Sequence, residues 1–422
     1  MNRVRLAGST LVALSVFGCG PDAPDADQPE PPALSGERIL ADTRTLSSDD
    51  FLGRGPGQAG GDLAVSFIAD AFEKAGLEPV DGSWTQSVPM IGTTSDPSSV
   101  RLSLQGEGGT VEPTYLDDFV LNAGDPAGDP VEVDAELVFV GYGIDAPENG
   151  WDDFGDDGVE GKVLLIRVND PPAPADDPER FGGVAMTYYG RWTYKYEQAA
   201  RVGAAGALIV HETEPAGYPW SVVRGGWSGE QFALPPDPQG PAPVPFLGWV
   251  SRETAGEALA VGGLDFEELK QAAASRDFQP VATGVQVGAV VESTTREVAT
   301  QNVVGMIPGD TRPEEVITVT AHYDHFGVGE AIDGDSIYNG AYDNASGTAL
   351  LIELARSIAG LESAPDRSVL FIATAAEEQG LLGAAWYIQS PLVPLASTVA
   401  EVNVDGANLW GETSDVIVHG AE

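Results

Sequence analysis

The sequence has few of the residues on which several classes of protein depend. Its 422 residues include one cysteine, Cys19, so the chain cannot form an intrachain disulfide. The 21 Lys and Arg are outnumbered by 65 Asp and Glu, which gives a formal net charge of −44. Because nucleic-acid phosphates require clustered basic side chains, this balance argues against DNA or RNA as partners. We interpret the dispersed acidic residues as a solvated surface, and we expect packing and bound metal to stabilise the fold.

The N-terminal apolar run is short. It extends from Leu11 to Phe17, follows two arginines, and cannot cross a bilayer of about 30 Å as a helix. This pattern predicts a secretion signal over residues 1–19. The run ends in Val-Phe-Gly-Cys, which resembles a bacterial lipobox, so we expect Cys19 to be lipidated and to anchor an exported protein to a membrane of the bacterial cell envelope. An ordinary cleaved signal and a secreted protein are the alternative.

The remaining sequence predicts an α/β fold interrupted by a second domain. Residues 20–36 are rich in Pro, Asp and Ala, which is typical of a disordered spacer. Two apolar stripes at helical spacing follow, and the second ends at Gly76. From Val131 onwards, strand patterns, a helix and a Pro/Gly/Trp-rich loop over residues 211–243 predict a separate β-rich domain. We expect a mixed, mainly parallel sheet flanked by helices, in two halves over residues 37–125 and 281–422, with the second domain inserted over residues 126–280.

The most informative residues are histidine and acidic side chains that follow short apolar runs near the C-terminal end. In open parallel sheets, ligands bind outside the carboxyl ends of the strands, so we expect these side chains to converge at one sheet edge. One further aspartate lies just before an apolar helix pattern and joins the same edge. His322 and Asp324 follow the run VITVT, Glu377 and Glu378 follow VLFIAT, and Asp405 follows VNV. Asp343 lies in the segment GAYDNASG.

The residue types indicate a metal site. A neutral imidazole and carboxylates suit Zn²⁺, and one carboxylate can bridge two ions about 3.5–4 Å apart, a role for which Asp343 is the candidate. In His-x-Asp, Asp324 is placed to accept the second ring N–H of His322 and so to orient it. Of the adjacent Glu377 and Glu378, one can bind metal while the other takes the proton of a water.

Four motifs, AHYDHFG, NGAYDNASGTA, AAEEQGLLGA and NVDG, resemble in this order the co-catalytic zinc exopeptidases, which include bacterial leucyl-type aminopeptidases and glutamate carboxypeptidases. VFVGYGI and YKYEQAARVGAAGALIVH are similar to the protease-associated domain of many members, and DDFLGRGPGQAGGDLAVSFIADAFEKAGLEPV is similar to the family's N-terminal helices. The resemblance implies peptide substrates and two zinc ions, with Glu377 as general base and a cis peptide after Asp343. It implies zinc ligands His322, Asp343 and Asp405 for one ion, and Asp343, Glu378 and a later histidine for the other.

The sequence departs from the family at that last histidine. After Asp405 the only histidine is His419, in the strand-like context DVIVHGAE, which is not where the family has its ligand. We therefore expect a C-terminally truncated sequence whose second zinc site lacks a ligand. Two alternatives stay open: a carboxypeptidase of the same family, although no arginine cluster lies near the motifs, and a non-catalytic surface scaffold with an incomplete metal site. The sequence does not indicate an oligomeric state.

Other noticeable residues have ordinary structural explanations. We expect His325 to be a loop residue near the site and His211 to be structural. We expect the segment 226–243 to be a Pro-rich surface loop rather than a substrate lid. Residues spaced four apart in one helix pattern predict core packing: Tyr188, Trp192 and Tyr196.

Overall fold

The computed structural model describes residues 34–126, 130–155, 158–183, 186–332 and 334–406. The predicted signal, Cys19, most of the predicted spacer and His419 lie outside these residues. Within them, no helix combines the length and apolar character needed to cross a membrane.

The described helices begin and end largely where the sequence predicts. Ser35 caps the first helix by accepting a hydrogen bond from the Arg38 backbone N–H. The second helix ends at Gly76, whose φ of 93° is the left-handed conformation that favours glycine at this position. The helices are α1 (Gly36–Leu46), α2 (Ala59–Ala75), α3 (Trp192–Arg201), α4 (Thr213–Ala216), α5 (Trp220–Trp227), α6 (Arg252–Val261), α7 (Phe266–Ala272), α8 (Gly347–Ala359) and α9 (Leu382–Gln389).

The strands fall into two large sheets and two short two-stranded pairs. Those of the first half of the chain are β1 (Thr85–Ser95), β2 (Arg101–Gly106), β3 (Gly109–Val111), β4 (Phe119–Ala123), β5 (Val131–Phe139), β6 (Asp145–Ala146), β7 (Trp151–Asp152), β8 (Val163–Arg167) and β9 (Gly206–His211). Those of the second half are β10 (Gln231–Ala233), β11 (Phe246–Ser251), β12 (Val281–Val291), β13 (Ser293–Ile307), β14 (Arg312–His322), β15 (Gly327–Ile332), β16 (Asp335–Tyr338), β17 (Arg367–Thr374) and β18 (Thr398–Asn403).

The first sheet is mixed, as predicted, and has the strand order β10-β1-β13-β17-β14-β18. The pairs β14–β17 and β14–β18 are parallel, whereas β1–β10, β1–β13 and β13–β17 are antiparallel. The prediction of a mainly parallel sheet therefore applies only to the half that carries the motifs. In the other half, β1 leads into the inserted residues and β13 leads out of them. The two strands pair directly, so they are antiparallel.

The second sheet has the strand order β3-β2-β12-β5-β8-β9-β11-β4. It contains β2, β3 and β4, and also β12, so the predicted insert boundaries at residues 126 and 280 are wrong. The reason is that β12 pairs with both β2 and β5, and its alternate residues, including Val287 and Val291, are buried in the core of this sheet. We call residues 96–292 the inserted unit, and residues 34–95 and 293–406 the enclosing unit.

The two units share a sheet. Residues 211–243, predicted as one long loop, instead contain α4, α5 and β10. Strand β10 leaves the inserted unit and pairs antiparallel with β1, with Phe232 opposite Gly92. An exposed flank of β1 thereby gains backbone hydrogen-bond partners from the inserted unit.

The enclosing unit has its core between the first sheet and the helices α2 and α8. Phe72 of α2 and Phe371 of β17 are both fully buried, with ring centroids 6.1 Å apart. Leu351 and Ile352 of α8 belong to the same cluster. Burial of a side chain of this size contributes about 1.5–3 kcal/mol, so this layer fixes α8 against the strands that end at the site.

Candidate active site

Three neighbouring parallel strands and the segment before α8 deliver the predicted site residues to one edge of the first sheet. His322 is the last residue of β14, Glu377 and Glu378 follow β17, and Asp405 follows β18. Asp343 lies in an irregular turn, Ala341–Ser346, which leads directly into α8. The peptide between Asp343 and Asn344 is cis, as the family resemblance implies.

His322 stands at the centre of this edge and is almost fully buried. Its Nε2 lies 3.1 Å from Asp343 Oδ1 and 3.3 Å from Asp405 Oδ1. A single ring nitrogen carries at most one proton, yet here it faces two carboxylate oxygens. Burial opposes a charge on His322, but these carboxylates and Asp324 raise its pKa well above the ordinary value.

Asp324 is fully buried beneath His322 and Glu377. Its Oδ1 accepts a hydrogen bond from the Glu377 backbone N–H at 3.1 Å and lies 3.7 Å from His322 Nδ1. The second distance is longer than a hydrogen bond, so the predicted orientation of His322 by Asp324 stays a prediction. Asp324 Oδ2 and His322 Nδ1 are both buried without a hydrogen-bond partner among the described residues.

The two adjacent glutamates lie in different environments. Burial raises the pKa of Glu377 to about 8, and the nearby carboxylates of Glu378, Asp324 and Asp405 add to the increase while His322 opposes it. Burial also raises the pKa of Glu378, but Glu378 accepts a hydrogen bond from His325 Nδ1, which limits the increase. The environment therefore leaves Glu377 with the more basic carboxylate and pairs Glu378 with an imidazole.

These residues fit a divalent metal ion. Oxygen and nitrogen atoms of His322, Asp343 and Glu378 all lie within 4.8 Å of one another. The described part of the site gathers carboxylates in excess of its basic groups, and a bound cation would offset their mutual repulsion. Imidazole with carboxylates is a ligand set of zinc sites.

A cavity of about 330 Å³ opens onto the carboxylates. Both units line it, because residues of α5 and β10 border it together with the carboxylates of the enclosing unit. Residues 226–233 therefore form a wall of this cavity, and the prediction of a plain surface loop is wrong for them, whereas residues 234–243 are a mostly exposed loop. Of the aromatic residues predicted as core, Tyr196 is buried, Trp192 lines the cavity and Tyr188 is exposed. The lining includes Tyr218, Trp227, Phe232, Trp249, Phe326, Asp343, Glu377, Glu378, Gln379 and Asp405.

Two residues at the site were not predicted to matter. His325, expected to be an ordinary loop residue, contacts Glu378 directly. Arg54 is fully buried and donates to the backbone carbonyl of Tyr323, between His322 and Asp324. Its position between Gly53 and Gly55 was the available sequence signal. His211, expected to be structural, is buried and its Nε2 lies 3.0 Å from the Tyr218 carbonyl.

Comparison with known proteins agrees with this geometry. Residues 302–422 match the family model of Peptidase family M28. A probable zinc metalloprotease of Pyricularia oryzae is 33% identical over 158 residues, which is 37% of this chain and 27% of that protein. Aminopeptidase YwaD of Bacillus subtilis is 37% identical over 89 residues, or 21% of this chain and 17% of that protein. The matched segments therefore span less than a third of the length of these relatives.

Among solved structures, an aminopeptidase from Aneurinibacillus sp. strain AM-1 superposes with a TM-score of 0.45 and 21% identity. That superposition covers 88% of this chain and 70% of the other.

Proposed function

Since residues 302–422 match the model of Peptidase family M28, we propose that this chain is a zinc-dependent exopeptidase that acts on peptides. The observation that carries the proposal is the convergence of His322, Asp343 and Glu378, whose ligand atoms lie within 4.8 Å of one another. Glu377 borders the same cavity as Asp343 and Glu378 and has a pKa raised to about 8, which supports its proposed role as general base. The probable zinc metalloprotease among its relatives supports zinc as the metal.

Each residue has a role in this proposal. His322, Asp343 and Asp405 would hold one zinc ion, and Asp343 and Glu378 would contribute to a second. When bound, zinc lowers the pKa of water and polarises the scissile carbonyl. Glu377 accepts the proton of the attacking water and then donates it to the nitrogen of the leaving amine.

The described lining of the cavity disfavours a C-terminal carboxylate as the part of the peptide that is recognised. Its charged lining residues are Asp343, Glu377, Glu378 and Asp405, and no Arg or Lys is among its described lining. These four carboxylates are the proposed metal ligands and general base, so bound zinc would offset their charge. A C-terminal carboxylate is best recognised by a basic side chain, which this lining does not offer. We therefore favour an aminopeptidase over a carboxypeptidase.

The aromatic wall favours an apolar N-terminal side chain. Trp192, Trp227, Phe232 and Phe326 border the same cavity as the carboxylates. Apolar contact with such a wall contributes roughly 25 cal/mol per Å² of buried surface, so leucine or phenylalanine gains more than alanine. Trp227→Ala is therefore expected to lower kcat/KM for leucyl substrates more than for alanyl substrates.

The decisive test compares free and blocked peptide ends. The protein with zinc is assayed on leucyl anilide and on an N-acylated dipeptide that has a free carboxylate, each with and without chelator. Chelator-sensitive hydrolysis of the anilide alone supports the proposal. Cleavage of the acylated dipeptide alone would indicate a carboxypeptidase, and no bound zinc with no hydrolysis would indicate a scaffold.

The N-terminal sequence supports a location for this activity. We propose that the chain is exported and anchored to a cell-envelope membrane by a lipid on Cys19. Metabolic labelling with a fatty acid is expected to mark the wild-type chain and not the Cys19→Ser variant. Unlabelled wild-type chain in the soluble fraction would favour an ordinary cleaved signal.

A further inference from the structure

Arg54 is a buried cation held by backbone carbonyls from three separate segments. Its side chain is fully buried. Nε donates to the Tyr323 carbonyl at 2.6 Å, and Nη1 donates to the carbonyls of Leu46 and Asn339, both at 2.7 Å. Nη2 donates to the Gly340 carbonyl at 2.8 Å. The guanidinium thus uses its planar set of donors to hold main chain rather than a carboxylate.

Two of these segments carry the proposed metal ligands. Tyr323 lies between His322 and Asp324, and Gly340 immediately precedes the turn that contains Asp343. The donors on one rigid plane therefore fix the separation between the end of β14 and the turn before α8. Asp343 Oδ1 lies 3.1 Å from His322 Nε2 across this separation.

The backbone around Arg54 adopts a conformation that is unfavourable for most residues. Leu52, Gly53 and Arg54 all have positive φ, at 46°, 65° and 53°. A Cβ on Gly53 would lie 2.5 Å from the carbonyl oxygens of Gly327 and Tyr338, so the β15–β16 pair closes over this turn. Consecutive left-handed residues of this kind persist only where the surrounding structure holds them.

The positive charge of Arg54 also lies close enough to the carboxylates of the site to interact with them. Burial lowers its pKa to about 10, while the carboxylates of Asp324, Glu378 and Asp343 oppose this change. The group therefore stays protonated at neutral pH, and it supplies a fixed positive charge behind the cluster of carboxylates.

From this geometry we infer that Arg54 is a positioning residue for the metal centre, which sets the distance between the His322 and Asp343 segments and thereby the affinity for zinc. The inference rests on the proposed function for the presence of zinc. It assigns the role to a residue of the N-terminal segment that lies outside the four motifs.

The test measures zinc affinity by competition with a chromogenic chelator in Arg54→Met and Arg54→Lys. Changes to groups that orient metal ligands weaken binding by about 10–100-fold, and we expect a loss in this range for the methionine variant. Lysine can still donate to some of these carbonyls, whereas methionine can donate to none. Arg54→Lys should therefore lose less zinc affinity than Arg54→Met. Bound zinc per chain and thermal unfolding are recorded for each protein, together with kcat and KM on leucyl anilide.

Arg38→Met is the matched control. Arg38 also ties the N-terminal segment to α8, through the buried Glu353, but it does not touch the ligand-bearing backbone. The control should lower the unfolding temperature while zinc affinity stays within about twofold of wild type, because the buried Glu353 loses one of its basic partners at a site away from the metal.

Wild-type zinc affinity in a folded Arg54 variant would overturn the inference, as would an equal loss of affinity in Arg38→Met. If Arg54→Met does not fold, the lysine variant decides by the same measurement. A wild-type protein that binds no zinc would overturn the proposed function itself, which distinguishes the two failures.

Discussion

In the inserted unit, the buried carboxylate of Glu212 lies between two basic side chains. Arg167 Nη2 donates to Glu212 Oε2 at 2.9 Å, and Lys270 Nζ contacts Oε1. Burial opposes ionisation of Glu212, yet hydrogen bonds from Lys270 and Arg167 keep its pKa below the ordinary value. At the candidate active site, Glu377 is partly buried and lies among other carboxylates, and burial raises its pKa to about 8.

The comparison separates two uses of buried charge. In the inserted unit the chain supplies both signs, so the ion pairs are complete without any other component. At the site, the carboxylates outnumber the described imidazoles and the guanidinium of Arg54. The ion pairs of the inserted unit therefore need no ligand, whereas a bound cation would offset the excess of carboxylates at the active site.

The largest expected effect is the loss of catalysis in Glu377→Gln. The amide cannot accept the proton of water, so kcat for leucyl anilide should fall by about 10²–10⁴-fold. Zinc content per chain should not change, because the adjacent Glu378 is the proposed ligand. Glu73→Gln, on the exposed face of α2, is the control with wild-type kinetics. A kcat of Glu377→Gln within threefold of wild type would assign the base to another residue.

The next effect concerns the complete ion pairs of the inserted unit. Glu212→Gln leaves Arg167 and Lys270 without their shared carboxylate, which should cost about 3–5 kcal/mol of unfolding free energy in urea titrations. Glu197→Gln is the control, because the Arg201–Glu197 pair is about half exposed and should contribute less than about 1 kcal/mol. Zinc affinity should be the same in both variants. A wild-type unfolding free energy for Glu212→Gln would mean that these ion pairs do not contribute to stability.

Removal of zinc should lower the unfolding free energy by somewhat less than Glu212→Gln does. Because zinc binds the folded state, free zinc at 100 times its Kd stabilises by about 2.7 kcal/mol, and chelation should lower the unfolding temperature accordingly. The shift should disappear in Asp343→Ala, which lacks the proposed bridging ligand. An equal shift in that variant would place the metal elsewhere.

The smallest effect is the pH dependence of the metal-free protein. The folded-state pKa of Glu377 is raised from 4.5 to about 8, mainly by burial, so folding favours its protonated form. Its contribution is present below pH 4.5 and is lost as the pH rises to about 8. The raised pKa of His322 acts in the same direction. Unfolding temperatures of chelated protein should therefore decrease from pH 5 to 8, and Glu377→Gln should flatten the curve; an unchanged slope would contradict this assignment.

Much of the site could be predicted from local sequence because each residue follows its own strand or precedes its own helix. His322, Glu377 and Asp405 lie at strand ends, and strand ends can be recognised from short apolar runs. Arg54 could not be predicted in this way, because its partners lie up to 286 residues away and are backbone carbonyls of any residue type.

The fold was less predictable where consecutive strands belong to different sheets. β12 and β13 read as consecutive strands of one pattern, but β12 pairs within the inserted unit and β13 within the enclosing unit. β10 is three residues long and lies among Pro and Gly, so it carries no strand pattern of its own. Its position depends on the free flank of β1, which is a property of the assembled sheet.

The pairing of β1 with β13 has a consequence for how the chain is assembled. The register extends from Thr85 opposite Val303 to Ser95 opposite Ser293, so the two strands form a hairpin whose connection is the whole inserted unit. Closing a flexible connection of roughly 200 residues would cost about 5 kcal/mol of chain entropy. Once the inserted unit is folded, β2 and β12 hold its two ends together, with Arg101 opposite Val290, and this cost is removed. The ribosome also delivers the inserted unit before β13, so the order of synthesis matches the order in which the catalytic sheet can form.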